Sequence, residues 1–126
     1  RISMTSRSFG PECRLLQASE FQHVFDHTLC KVHQPAFLLL ATPSAATRLG
    51  FIVAKRKIRR AHERNRVKRL ARESFRLNRQ QLPALDIVLM AKPDAQTLPN
   101  DVLHQQLSTA WRQLARKAAQ SQARDG

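Results

Sequence analysis

A chain of 126 residues with 42% hydrophobic residues is long enough for one domain with a packed core, which excludes wholesale disorder. Its 22 Lys and Arg against 9 Asp and Glu give a formal net charge of +13, so nucleic acid is the first expected partner and an anionic membrane surface the second. Three glycines (Gly10, Gly50, Gly126) cannot make a phosphate-cradling loop, which excludes nucleotide-dependent enzymes, and the longest apolar run, Ala36 to Ala41, is far too short to span a bilayer.

Cys13 and Cys30 form no CxxC pair and no disulfide framework, so a reducing cytoplasm is the expected compartment. No basic segment followed by a long apolar stretch opens the chain, so no secretory signal is expected.

Residues 1–14 are polar and mildly basic and read as a flexible arm. Ser19 then opens a short helix, with Gln22 completing a capping-box pattern, and the helix is expected to end near His27 or Thr28. Phe21, Val24 and Phe25 share one face of it, read either as core or as a surface on which bases stack. Ala36 to Ala41 is a continuous apolar run expected to form a buried strand, followed by a turn over 42–47. Arg48 to Ala54 reads as a second strand, with Leu49, Phe51 and Val53 alternating against Gly50 and Ile52.

Lys55 to Arg79 follows, with Lys or Arg at 12 of its 25 positions and only Glu63 and Glu73 in opposition. Its first part, KRKIRRAH, reads as a strand end and loop. From about Glu63 it has helical order, with Val67, Leu70, Ala71 and Ser74 on one stripe and Phe75 and Leu77 at the margins. Asn65, Lys68, Arg69, Arg72, Arg76 and Arg79 fall opposite. A solvated helix face is the plain alternative, but such faces interleave both signs of charge and this one barely does.

Leu82-Pro83 breaks the helix, and Asp86 to Ala91 reads as a third strand ended by Lys92-Pro93. Asn100 is expected to cap a last helix, with Asp101 in its first turn. Leu103, Leu107, Ala110, Trp111, Leu114 and Ala118 form its buried stripe, and residues from Gln120 onward read as a frayed tail. No internal repeat or linker divides residues 1–126, read as a single domain.

The scattered carboxylates offer no acid–base pair, so no catalytic residue is assigned. His23, His27, Cys30 and His33 have a spacing that could gather zinc ligands, but surface histidines and a buried free cysteine explain it more simply, and no metal site is assigned. Arginine forks fit phosphate oxygens and lysines supply point charges, so the binding chemistry is better specified than any catalysis. On residues alone, DNA and RNA remain open, with a ribosomal or RNA-chaperone-type protein as one reading. A membrane-surface helix is disfavoured because the apolar stripe is narrow and includes Ser74.

Ala61 to Arg76, AHERNRVKRLARESFR, closely resembles the RNR signature of the bacterial ribonuclease P protein component. Leu15-Leu16 through Phe25 resembles that family's first helix, and Arg48-Leu49-Gly50-Phe51 leading to Lys57 its strand before the basic loop. Asp86-Ile87-Val88 through Lys92 and the Trp111 helix match in kind, so the resemblance covers about Arg14 to Lys117.

The resemblance implies an α+β fold: a small α/β sandwich of α-β-β-β-α-β-α order, ribosomal protein S5 domain 2-like, with a left-handed βαβ crossover. Sequence rules alone predict the opposite hand, and the family's order contains one more strand than the residues reveal. It further implies the protein subunit of ribonuclease P, a bacterial ribonucleoprotein whose catalytic RNA removes the 5′ leader of precursor tRNA with Mg²⁺ held mainly by the RNA. By the same resemblance Arg59, Arg60, Arg64, Asn65, Arg66, Lys68, Arg69, Arg72 and Arg76 are expected on the catalytic RNA. Phe21, Phe25, Lys55 and Lys57 are expected on the leader. Neither membrane nor DNA is expected as a partner. Leu40 departs from relatives that carry an aromatic there, so no stacking is assigned to it.

Overall fold

The computed structural model describes residues 18–125, with side chains described through Gln120. The expected arm at 1–14, Cys13 and Leu15-Leu16 lie outside the described residues. The elements are α1 (Ala18–Asp26), β1 (Cys30–His33), β2 (Phe37–Pro43), β3 (Arg48–Ile52), α2 (Ala61–Asn78), β4 (Leu85–Ala91) and α3 (Asn100–Asp125), with 3₁₀ turns at Arg79–Gln81 and Pro93–Gln96.

The strands form one sheet of order β1-β2-β4-β3. β1 and β4 each pair antiparallel with β2, whereas β3 pairs parallel with β4. A parallel pair needs a long crossover, and α2 supplies it. The two central strands carry the apolar runs FLLLATP and LDIVLMA, buried on both faces.

One face of the sheet packs against α2 and α3. Val32, Phe37, Leu39, Leu49, Ile87 and Leu89 meet Val67, Leu70, Ala71 and Phe75 of α2, and Leu103, Leu107, Ala110, Trp111, Leu114 and Ala118 of α3. Trp111 Nε1–H donates to Ser74 Oγ at 2.8 Å, which explains a serine in an apolar stripe: a buried indole N–H requires an acceptor. The opposite face carries α1, where Val24 buries against Leu40 and Val88 while Phe21, Leu38, Ile52 and Met90 pack around them.

A nine-residue helix such as α1 is marginal alone. Besides Val24, it is held by Arg48 on β3. That guanidinium makes a two-pronged bond to Asp86 on β4 (Nε to Oδ1 and Nη2 to Oδ2, both 2.8 Å) and a third bond to Glu20 of α1 at 2.8 Å. Hydrogen bonding to the Asp86 carboxylate raises the Arg48 pKa above its already high ordinary value.

The sheet corrects several expectations. β1 was not readable: its in–out alternation, Cys30 and Val32 buried and Lys31 and His33 exposed, lasts only four residues. β2 continues through Thr42 and Pro43, read as turn, because both find partners on β4 at Asp86 and Leu85. β3 ends at Ile52 rather than Ala54.

The helices differ too. α1 already includes Ala18, so Ser19 is not its cap, and Gln22 donates forward to Asp26 at 2.9 Å rather than back. α2 starts at Ala61, and Leu77 is 63% exposed instead of flanking the core. Asn100 is the first residue of α3, not a cap in front of it. The backbone of α3 stays helical through Asp125, past the point where fraying was expected. No described helix is long and apolar enough to cross a membrane.

Candidate nucleic-acid interface

The basic stretch becomes two structures with different supports. Its first part is the loop between β3 and α2. The Ala54 carbonyl accepts the N–H groups of Lys57 and Ile58 at 3.1 and 3.0 Å, and the Ile58 side chain is wholly buried. One apolar anchor thus fixes the loop, while Lys55, Arg56, Lys57, Arg59 and Arg60 stay exposed around it. Arg64, from the first turn of α2, donates Nη1 to the carbonyls of Ile58 and Arg59 at 3.0 and 2.7 Å, tying loop to helix.

The longer second part is α2. Asn65, Arg69 and Arg72 are exposed, and Lys68 and Arg76 half-buried, one to two turns apart along the side away from the core. Arg69, Arg72, Glu73 and Arg76 line an open depression on this side. Arg72 also lies over the Phe51 ring, 5.6 Å from its centroid, which pins α2 to β3. Glu73 approaches Arg76 only at 4.0 Å, an exposed contact that neutralises little of the row.

Arg66, between these cations in sequence, is placed differently. Its Nε donates to Glu63 at 2.8 Å, Nη1 to Asn100 Oδ1 at 2.6 Å and Nη2 to the Ala95 carbonyl at 3.0 Å. Longer contacts reach the carbonyls of Leu98 and Gln96 at 3.4 and 3.5 Å. The side chain therefore clips the start of α2 to the β4–α3 connection, with its donors turned inward. It holds the Glu63 carboxyl below the ordinary carboxylate range, the hydrogen bond being the main cause.

The second set of expected contacts lies on the other face of the sheet. Phe21 is half-buried against the Val24–Leu40–Val88 group, while Phe25 is 39% exposed. Leu38, Ile52 and Met90 are half-exposed beside α1, an open apolar strip. β3 delivers the chain from Ile52 to the turn carrying Lys55 and Lys57. Leu40 is buried under Val24.

The zinc pattern separates in space. His23 and His27 have ring centroids 4.6 Å apart, but Cys30 joins the core on the α2–α3 side, whereas His33 alternates to the other face. Among the described residues no group of three or more His, Cys, Asp or Glu could hold a metal. Sequence reasoning missed Arg48 and the inward role of Arg66. The Glu63–Arg66 spacing hints at the latter, but the Asn100 partner is purely tertiary.

Comparison with known proteins bears on the family and the fold. A family model described as Ribonuclease P matches residues 9–115. The chain is similar to the ribonuclease P protein component of Acinetobacter baylyi, 59% identical over 121 residues and covering 94% of this chain and 92% of that one. It is 47% identical to that of Chromohalobacter salexigens over 113 residues, covering 88% of each. Among solved structures, its fold is similar to the RNase P protein of Staphylococcus aureus, with a TM-score of 0.73 at 23% identity covering 79% of this chain and 93% of that one. It is likewise similar to the RNase P protein of Thermotoga maritima, with a TM-score of 0.70 at 23% identity covering 79% and 96%.

Proposed function

The chain belongs to the ribonuclease P protein component family, and we propose that it acts as the protein subunit of a bacterial ribonuclease P holoenzyme in the cytoplasm. On this reading α2 and its loop grip the catalytic RNA. The strip beside α1 receives the 5′ leader of precursor tRNA, so that the protein aids endonucleolytic removal of the leader.

The observation that carries the proposal is the outer side of α2. Lys68 and Arg69 have no protein partner among the described residues, and Arg72 and Arg76 extend the same row. Guanidinium forks at that pitch suit successive phosphates on structured RNA. Asn65, exposed in the same row, adds a donor and an acceptor for a 2′-hydroxyl or base edge. Arg59 and Arg60 widen the contact from the loop. Arg64 supports it from behind and Arg66 holds the helix in place.

Bond breaking belongs to the RNA on this proposal. Glu20 and Asp86 are engaged by Arg48 and Glu63 by Arg66, and among the described residues no three His, Cys, Asp or Glu gather where they could hold a resident Mg²⁺. The ions that would activate water and stabilise the leaving oxygen are therefore assigned to the RNA. The protein's contribution is binding and orientation. Phe21 and Phe25 offer faces to unstacked bases, and Lys55 and Lys57 offer charge to the leader backbone.

A filter-binding titration of the catalytic RNA tests this with Lys68→Ala/Arg69→Ala. Loss of two duplex phosphate contacts lowers the log–log salt slope by about 1.8 and weakens binding. Unchanged affinity and slope overturn the assignment of α2 to the catalytic RNA.

A further inference from the structure

Away from α2 and the α1 strip, the structure gathers a second group of cations at the β1 edge of the sheet. α3 is seated there by polar contacts. The Ala36 N–H donates to Gln106 Oε1 at 2.9 Å, and Gln34 Nε2 donates to Gln113 Oε1 at 3.2 Å. One turn further on, Lys117 Nζ donates to the Lys31 carbonyl at 2.7 Å, bringing the ammonium onto the edge strand. Arg116 is exposed beside it, and Lys31 and His33 are exposed on β1 itself.

The carboxylates among the described side chains are placed elsewhere. Glu20 and Asp86 bond Arg48, Glu63 bonds Arg66, Glu73 sits by Arg76 and Asp26 accepts from Gln22. Asp94 and Asp101 lie before α3 and at its first turn, far along the helix from Lys117. Among the described residues none of Lys31, Arg116 and Lys117 forms an ion pair. Uncompensated like charges held together raise the local potential for an anion.

Strand register connects the group to the α1 strip. Lys31 pairs with Leu40 and His33 with Leu38, so their side chains leave the sheet on the face that α1 partly covers. Leu38 pairs in turn with Met90, and Met90 with Ile52. The row Ile52, Met90, Leu38, His33 thus crosses all four strands, three inter-strand steps or roughly 14 Å. It begins beside the Lys55 and Lys57 turn and ends at Lys31, His33 and Lys117.

We propose that Lys31, His33, Arg116 and Lys117 form a second RNA-binding surface that holds the part of the single-stranded leader emerging from the apolar strip over the β1 edge. This rests on the leader reading given above. The strip holds bases by stacking and apolar contact, and the edge holds backbone phosphates, so the edge acts only on leaders long enough to cross the sheet.

The test uses the reconstituted holoenzyme and a series of precursor tRNAs with progressively longer leaders. For the unmodified protein, affinity rises as the leader lengthens to the β1 edge. In Lys31→Glu/Lys117→Glu the long-to-short affinity ratio collapses toward one, and for long leaders the salt slope falls by about 1.4, as for two single-strand phosphates. Arg116→Gln, which disturbs no described contact, gives a smaller change in the same ratio, so a folding defect in the double variant does not leave the question open. An equal loss at every leader length, weakened assembly with the catalytic RNA, or no change in either variant each overturns the proposal. If the unmodified holoenzyme shows no dependence on leader length, the leader reading itself fails, and that result is visible before any variant is made.

Discussion

Arg66 and Asn100, 34 residues apart, are joined by a 2.6 Å hydrogen bond from guanidinium to side-chain oxygen. That bond fixes where α3 begins relative to the first turn of α2. The parallel run of the two helices then brings Ser74 against Trp111 further along. The cationic face of α2 thus owes its position to a cation within the same motif that faces inward.

Arg66→Ala therefore acts on stability. Losing charge-assisted bonds to Glu63, Asn100 and the Ala95 carbonyl costs about 2 kcal/mol, read as a lower urea midpoint. Any loss of affinity for the catalytic RNA comes without a change in salt slope. Arg69→Ala behaves inversely, with stability changed by less than about 0.5 kcal/mol and affinity reduced. A reduced salt slope in Arg66→Ala at unchanged stability contradicts the inward role.

Glu63 gives that clip a pH dependence. Its folded-state pKa is depressed by Arg66, so its contribution is complete above the unfolded value, about 4.3, and is lost as pH falls through the folded value. Melting temperatures at pH 7 and pH 3 compare the native chain with Glu63→Gln. The variant has less to lose and shows the smaller fall; equal falls remove Glu63 from the account.

Much of this was legible in the sequence and some was not, for physical reasons. Local periodicity marked the core stripe of α2 from Val67 to Ser74 and the whole stripe of α3, because a 3.6-residue period over several turns is a strong signal. β1 escaped because four residues carry too little pattern, and Leu77 was misplaced because a marginal angular position is decided by what lies beside it. Asn100 has the residue type of a cap, but a guanidinium from a distant segment competes for its oxygen. The basic motif announced charge without saying which cations face out.

Arg48→Ala isolates the hold on α1. The buried Asp86 carboxylate loses its partner, which costs about 3 kcal/mol by denaturant unfolding. Adding Asp86→Asn to the same chain recovers part of the loss. With α1 loosened from Glu20, affinity for precursor tRNA falls more than affinity for the catalytic RNA. Equal losses, measured in one buffer, would show that α1 has no special place in leader binding.

Phe25→Ala separates leader contact from packing better than Phe21→Ala, because Phe21 is part of the second core and Phe25 is largely outside it. Phe25→Ala should keep its circular dichroism melting curve and lose several-fold in precursor-tRNA affinity with little change for mature tRNA, the scale of one stacked base. Equal losses for the two ligands return Phe25 to a structural role.

The most direct test of the central claim is cleavage of a precursor tRNA by the catalytic RNA at low Mg²⁺, with this protein present, absent and alone. The account predicts slow cleavage by the RNA alone, strong stimulation when the protein is added, and no cleavage by the protein alone. A protein that leaves the RNA's rate unchanged, or that cuts the precursor without the RNA, contradicts it.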